Sequence, residues 1–225
     1  IFDILRYAKE LGFTLGLNTN GCNINKDFLY RLRDFDIQLS ISVPGIKTFA
    51  QTTKNDNIEN VLNLFRQCDK LNIKTVANIA VTKINIGELY ENIAFPLING
   101  ASYILLNRFL PGGRGLANTE YLLTIAEINQ MLDIAEEVLS KADTFGHLGT
   151  ELPYCVIKNP HRYKHLSISS LCAAAKSFFV IDPSGYIKVC NHSPTRICRW
   201  DEIENLENSK YWNKYVSVDY IPKMC

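Results

Sequence analysis

The sequence predicts an α/β protein built on a parallel sheet that is covered by helices. Helical and strand patterns alternate along the first 140 residues, and the strands are continuous apolar runs. Continuous apolar strands are typical of sheets that are buried on both faces, and such sheets are usually parallel. Four strands are predicted before residue 110, which is too few to close a barrel. The fold class is therefore a partial (βα) barrel, followed by a small cysteine-rich region.

The predicted elements follow one another in a regular order. The first helix covers 1–11, and Gly12 follows at the position where a glycine commonly ends a helix. The predicted strands are 13–17, 37–43, 74–81 and 102–109. The later predicted helices are 26–35, 58–71, 86–99 and 125–141. After the last helix the pattern is too irregular to assign.

The composition changes near residue 145. Five of the eight prolines and five of the seven cysteines lie from Glu151 onward. We therefore expect two domains, a partial barrel over 1–145 and a cysteine-rich domain over 146–225. The chain opens on Ile1 inside a helical pattern and stops on Cys225, so we expect it to be a fragment of a longer protein.

Composition and charge exclude several classes of function. The formal net charge of +1 and the absence of Lys/Arg runs argue against a nucleic-acid partner. No apolar run approaches the length of a membrane span, and no secretory signal is present. An odd number of cysteines without an export signal favours a reducing compartment, so the predicted location is the cytoplasm.

Polar or backbone-permissive residues follow the predicted strands at their carboxyl ends. In α/β sheets, ligands bind beyond this edge. The residues there are Asn18, Thr19, Asn20, Gly21, Ser40, Ser42, Pro44, Gly45, Asn78, Thr82, Asn107, Arg108 and the run 111–115. They contain no Ser-His-Asp set and no pair of carboxylates, so they favour a polar cofactor over acid–base hydrolysis.

A hairpin is predicted between Cys172 and Cys190. The segment Asp182–Gly185 reads as a tight turn, because proline sets φ at its first corner and glycine accepts the positive φ that closes it. The turn brings two thiols toward one end of a small scaffold. We interpret them as metal ligands in preference to a pair of buried core cysteines.

These features together resemble a known superfamily. The order TNG, ISVPG, PGGRG and then Cys172-x12-Gly185-x4-Cys190 is similar to the later part of the radical S-adenosylmethionine superfamily joined to a SPASM domain. The final residues, PKMC, resemble the start of that domain's last cysteine cluster. The family's N-terminal CxxxCxxC and GGEP-like motifs are absent, and the resemblance places them before Ile1.

The resemblance implies a cofactor site at the carboxyl ends of the strands. It assigns Ser42 to the ribose of S-adenosylmethionine, although Pro44 stands where the family commonly has Asp. Asn20 and Gly21 match a turn near the cofactor. The backbone at Leu106 and Asn107 matches the segment that meets the adenine.

The resemblance also assigns the cysteines. Cys155, Cys172 and Cys190 resemble ligands of a first auxiliary [4Fe-4S] cluster, and Cys225 resembles the first ligand of a second one. Cys22 and Cys68 are predicted to be structural. Zinc is an alternative to iron–sulfur, since four thiolates also suit Zn²⁺. His192 is either a ligand or a solvated loop residue.

The implied activity belongs to the full-length parent enzyme. Such an enzyme cleaves S-adenosylmethionine to a 5'-deoxyadenosyl radical and abstracts hydrogen from a peptide or protein substrate, with flavodoxin or ferredoxin as electron donor. This chain lacks the CxxxCxxC motif, so by itself it is not expected to start that chemistry. A non-catalytic iron–sulfur module that binds peptides, and a zinc-stabilised scaffold, are the alternatives.

Overall fold

The computed structural model describes residues 1–53 and 57–219, and it confirms the predicted α/β class. One sheet contains six parallel strands, which lie in the order in which they occur in the chain. The strands are β1 (Gly16–Thr19), β2 (Gln38–Ser42), β3 (Thr75–Val81), β4 (Tyr103–Arg108), β5 (Gly146–Leu148) and β6 (Leu166–Ile168). A separate antiparallel pair consists of β7 (Val180–Ile181) and β8 (Ile187–Lys188).

Helices connect and cover the parallel strands. They are α1 (Phe2–Glu10), α2 (Lys26–Arg33), α3 (Phe49–Thr53), α4 (Ile58–Lys70), α5 (Leu89–Ile98) and α6 (Ile125–Lys141). A further helix, α7 (Lys210–Val216), follows the β7–β8 pair. The longest, α6, has the predicted bounds, and Thr124 and Glu127 form a reciprocal capping box that fixes its start. No helix among residues 1–53 and 57–219 is long and apolar enough to cross a membrane.

The first strand begins later than the predicted range of 13–17. Gly12 adopts φ +82°, and the N–H of Phe13 donates to the carbonyl of Ala8 at 3.0 Å. Phe13 is therefore still part of the helix-ending turn, and its ring is 65% exposed. The strand forms only from Gly16, where pairing with Gln38 starts.

Two sheet strands, β5 and β6, were missed by the sequence analysis. Each has three residues, and His147 and Ser167 interrupt the apolar run that would mark a buried strand. Because both strands pair with the sheet, it extends beyond residue 145, where a domain boundary was predicted. The division into two domains stays a prediction.

The predicted hairpin is confirmed. Gly185 adopts φ +82°, and its N–H donates to the carbonyl of Asp182 at 2.8 Å. The N–H of Asp182 donates to the carbonyl of Tyr186, also at 2.8 Å, so the two strands fold back directly. A third extended segment joins this pair, since Ile187 exchanges backbone hydrogen bonds with Ile197 and Cys198.

The two faces of the parallel sheet differ in character. The helix-covered face holds the apolar core, and its strand residues Leu39, Ile41, Ile79, Ile104 and Leu106 are 0–1% exposed. The opposite face is here called the open face. A row of five neighbouring residues, one from each of β2 to β6, crosses this face and includes both polar and apolar side chains. That row consists of Ser42, Asn78, Leu105, His147 and Ser167. Side chains alternate along a strand, so polar residues can occupy the open face without entering the core.

Candidate functional site

The carboxyl ends of β2, β3 and β4 bring amide and hydroxyl groups together on the open face. Asn107 lies two residues after Leu105 and shares its face, and its Nδ2 donates to Asn78 Oδ1 at 3.0 Å. Ser42 lies beside Asn78 in the register and is exposed. These three side chains form a polar strip at the edge where the sequence predicted a polar cofactor.

The turn after β1 holds Asn20 and Gly21 in a defined geometry. Asn20 Oδ1 accepts from the N–H of Cys22 at 3.1 Å, and Thr19 Oγ1 accepts from the N–H of Gly21 at 3.0 Å. Gly21 adopts φ +78°, and a Cβ there would lie 3.2 Å from Leu64 Cδ2. The turn therefore requires glycine, because of both its backbone conformation and the packing of α4.

Leu106 lies on the other side of the sheet from Asn107. Its side chain is buried in the core, and its carbonyl accepts from the N–H of Gly149 at 2.8 Å. A Cβ on Gly149 would lie 2.5 Å from Asn107 Oδ1, so this backbone runs directly against the Asn107 amide. The neighbouring Arg108 has a buried Nε without a hydrogen-bond partner among the described residues. Burial lowers the pKa of its guanidinium, and the charge of Glu151 opposes that change.

The chain after Ser42 is held by three buried polar side chains that the sequence analysis missed. Asn85 Nδ2 donates to the carbonyl of Pro44 at 2.6 Å, and Asn92 Oδ1 accepts from the N–H of Ile46 at 2.8 Å. Glu88 accepts from the N–H of Lys47 at 2.6 Å. Glu88 also accepts hydrogen bonds from the N–H and the hydroxyl of Thr48. Residues 44–48 are called the 44–48 turn.

This network fixes the 44–48 turn beside the polar strip. Gly45 is part of the same packing, since a Cβ there would overlap Thr48 Oγ1 and lie 2.7 Å from Glu88 Oε1. The sequence carried a signal for the network. Asn85, Glu88 and Asn92 recur at helical spacing on a face that also bears Leu89 and Ile93, and polar residues within a buried face need partners.

Two tyrosines on α7 interact electrostatically with the predicted thiol ligands Cys172 and Cys190. The hydrogen bond with Tyr211, burial, and the charges of Tyr211 and of both thiols raise the pKa of Tyr215 above its usual range. The Tyr211 and Tyr215 hydroxyl oxygens are 3.4 Å apart, and Ser193 Oγ lies 3.1 Å from the Tyr211 oxygen. Cys172 and Cys190 are both half-buried.

The other predicted ligands are placed differently. Cys155 is exposed on the short turn Tyr154–Val156, and Cys225 lies outside the described residues. Within 1–53 and 57–219, no three His, Cys, Asp or Glu side chains form a group that could hold a metal ion. The assignment of Cys155, Cys172, Cys190 and Cys225 as metal ligands therefore stays a prediction.

His192 contacts the segment that follows β4. A Cβ on Gly112 would lie 2.7 Å from His192 Cδ2, so the imidazole packs directly on this glycine. Gly112 belongs to the glycine-rich run predicted at the carboxyl rim. The loop after Cys190 therefore contacts the segment that follows β4.

No protein-family model and no curated protein sequence matches the chain. Solved structures do match in fold. SuiB of Streptococcus suis superposes with a TM-score of 0.62 at 14% identity, over 95% of this chain and 51% of SuiB. The protein anSMEcpe, solved with bound AdoMet and the peptide Kp18Cys, superposes with a TM-score of 0.71 at 12% identity, over 99% of this chain and 67% of anSMEcpe.

Further structures of SuiB contain S-adenosylmethionine or the precursor peptide SuiA. The chain spans about half the length of SuiB. At these identities the likeness establishes the fold, and the resemblance stated from the sequence is confirmed at that level.

Proposed function

We propose that this chain is the cofactor- and substrate-binding part of a radical S-adenosylmethionine enzyme that modifies a peptide. The observation that carries the proposal is the likeness in fold to SuiB and anSMEcpe over 95–99% of the chain. The open face also presents its polar strip at the carboxyl ends of the strands, where parallel α/β sheets bind ligands. SuiB and anSMEcpe have both been solved with peptides bound, which supports a peptide substrate.

The polar strip fits the cofactor. Ser42 would hydrogen-bond the ribose, Asn20 and Gly21 would line the site, and the backbone at Leu106 and Asn107 would meet the adenine. The Asn78 carbonyl oxygen fixes the Asn107 amide, so that group is oriented before a ligand arrives.

Cys172 and Cys190 would supply two thiolates to an auxiliary [4Fe-4S] cluster, with Cys155 and Cys225 as further proposed ligands. When bound, such a cluster transfers single electrons or holds part of the substrate. Hydrogen bonds to sulfur and burial tune the potential of such a cluster. Flavodoxin or ferredoxin is the proposed electron donor of the full enzyme.

Anaerobic reconstitution with iron and sulfide tests the metal assignment. We expect the chain to take up about four iron and four sulfide for each cluster and to absorb near 400 nm. Cys172→Ala and Cys190→Ala should each lower the iron content by at least half. Cys22→Ala is the matched control, because it changes a cysteine on an exposed turn, and it should keep the full content.

The same experiment separates the alternatives. A colourless protein that binds zinc stoichiometrically would overturn the iron–sulfur assignment. An unchanged iron content in Cys172→Ala would contradict the ligand set. Loss of iron in Cys155→Ala would add that residue to the ligands, and retention would remove it.

A further inference from the structure

The open face carries a second concave site, which lies nearer the amino ends of the strands than the polar strip does. A cavity of about 720 Å³ lies where the strands begin, and it is lined by the first residues of β2, β4, β5 and β6. Its wall continues up to Leu105, His147 and Ser167 on the open face. The volume falls within the range of pockets that hold small organic ligands.

The walls of the cavity are rich in aromatic rings. Tyr103 comes from β4, Phe145 precedes β5, and Tyr154 and Tyr163 come from the connection between β5 and β6. Tyr103, Phe145 and Tyr154 are 48%, 63% and 57% exposed, so three large rings face water around one concavity. Clustered exposed rings are typical of surfaces that bind a ligand.

The residues that line the cavity include one basic side chain and no acidic side chain. Lys164 is the only Lys or Arg among the lining residues, His147 is the only imidazole, and none of the lining residues is a carboxylic acid. Lys164 forms no salt bridge within the part of the chain that the structure describes. A cation at the edge of an aromatic cavity favours an anionic ligand.

The nearest acidic side chains are already engaged. The Glu136 carboxylate accepts from the backbone N–H groups of Lys164, His165 and Leu166 and contacts His165 Nδ1 at 2.9 Å. Asp133 accepts from the Tyr163 hydroxyl at 2.7 Å. Both of these carboxylates of α6 are therefore bonded to the segment 163–166. Neither is paired with the Lys164 ammonium, which stays available to a ligand.

We propose that this cavity is a binding site for a small planar aromatic carboxylate, separate from the polar strip at the carboxyl ends. The ring of the ligand stacks among Tyr103, Phe145 and Tyr154, and its carboxylate pairs with Lys164. Ser167 and His147 supply further polar contacts along the open face. The proposal does not depend on the proposed radical chemistry, since no cysteine and no residue of the polar strip lines the cavity.

Binding of indole-3-acetate to the chain, measured by isothermal titration calorimetry, tests the proposal. We expect a Kd on the order of 100 μM. Tryptamine has the same ring system with an ammonium in place of the carboxylate, and it should bind at least about tenfold more weakly. Cyclohexane carboxylate lacks the aromatic ring and should also bind more weakly.

Variants at exposed positions complete the test without disturbing the core. Lys164→Met and Tyr154→Ala should each weaken indole-3-acetate binding by about tenfold. Lys176→Met is the matched control, because Lys176 is exposed and outside the cavity, and it should bind as the parent does. Equal affinity for indole-3-acetate and tryptamine, or an unchanged Kd in Lys164→Met, would overturn the proposal.

Discussion

At the residue scale, Glu88 shows how one buried carboxylate can shape a ligand site that it does not touch. It accepts hydrogen bonds from two backbone N–H groups and one hydroxyl of the 44–48 turn. An unpaired buried donor costs about 1–3 kcal/mol of stability. The cofactor rim after Ser42 therefore depends on a residue located on the following helical segment.

Replacing Glu88 should accordingly disturb both stability and cofactor binding. We expect Glu88→Ala to lower the free energy of unfolding by about 2–4 kcal/mol, because it leaves several donors unpaired. Urea unfolding measures this change. Glu91→Gln on the same segment removes only an exposed ion pair with Lys47 and should cost less than about 1 kcal/mol. Equal losses in the two variants would contradict the role assigned to Glu88.

Two cysteines differ sharply in surroundings, and this difference predicts their reactivity. Cys68 is fully buried, and burial raises the pKa of its thiol to about 12. Its thiolate fraction is then on the order of 1,000-fold lower than that of a thiol with a pKa of about 8.5. In the folded, metal-free protein, iodoacetamide should modify the exposed Cys155 rapidly and Cys68 only after denaturation. Peptide mass spectrometry reads out both sites, and fast labelling of Cys68 would contradict its burial.

At the scale of elements, β6 is held at its start by the side chain of a helix. The carbonyl of His165, the residue before β6, accepts a hydrogen bond from the N–H of Gly146 in β5. Backbone groups alternate in direction along a strand, so His165 and Ser167 point toward β5 and Leu166 points away from it. The N–H of Leu166 faces away from β5 and donates to Glu136 Oε2 at 3.1 Å. Helix α6 therefore anchors the last strand of the sheet through one carboxylate.

This anchor should make stability depend on pH. Burial alone would raise the pKa of Glu136, but bonds from the His165 side chain and from the three backbone N–H groups outweigh it and hold the pKa below the usual 4.5. A lowered pKa contributes stability that is present above pH 4.5 and is lost as the pH falls through the lowered value.

Glu136→Gln should reduce the loss of stability between pH 4.5 and lower pH. It should also lower the free energy of unfolding at pH 7 by about 1–3 kcal/mol. Thermal unfolding between pH 3 and 7 measures both effects. Glu137→Gln is the control on the same helix, since it removes only the exposed pair with Lys141. If the stability of Glu136→Gln fell with decreasing pH as steeply as that of the parent, Glu136 would not be the source of the pH dependence.

The elements also show what local patterns can predict. The bounds of α6 follow from Thr124 and Glu127, which are adjacent in sequence to the helix they cap. The Asp182–Gly185 turn is equally local, and it forms as predicted. In contrast, β5 and β6 exist because β4 provides an edge to which three-residue segments can pair. That information is tertiary, and no pattern within 146–148 or 166–168 contains it.

At the scale of the whole molecule, the open face presents two sites on the same strands, the polar strip toward their carboxyl ends and the cavity toward their amino ends. The residues of the polar strip could be predicted from the sequence, because Ser42, Asn78 and Asn107 each follow an apolar run that predicts a strand. The aromatic cavity was not predicted, since its rings come from distant parts of the chain and meet only through the sheet register. The tyrosine pair on α7, which interacts electrostatically with Cys172 and Cys190, was not predicted.

The separation of the two sites predicts that they bind independently. Asn107→Ala removes the hydrogen bond to Asn78 and should weaken S-adenosylmethionine binding by about 5- to 20-fold. The same variant should leave indole-3-acetate binding unchanged within about twofold. Ser167→Ala, on the same face at the far edge, is the control for the cofactor. Equilibrium dialysis with both ligands decides the outcome, and equal cofactor loss in the two variants would count against the polar strip.

The sequential order of the six parallel strands also bears on how the sheet is made. Each strand pairs with the one that precedes it in the chain, so no strand has to be inserted between two others. The sheet can therefore grow at a single edge while synthesis proceeds, one strand and helix at a time. In such an order β6 is the last of the six described parallel strands to pair, and the hairpin that precedes Cys190 emerges after it.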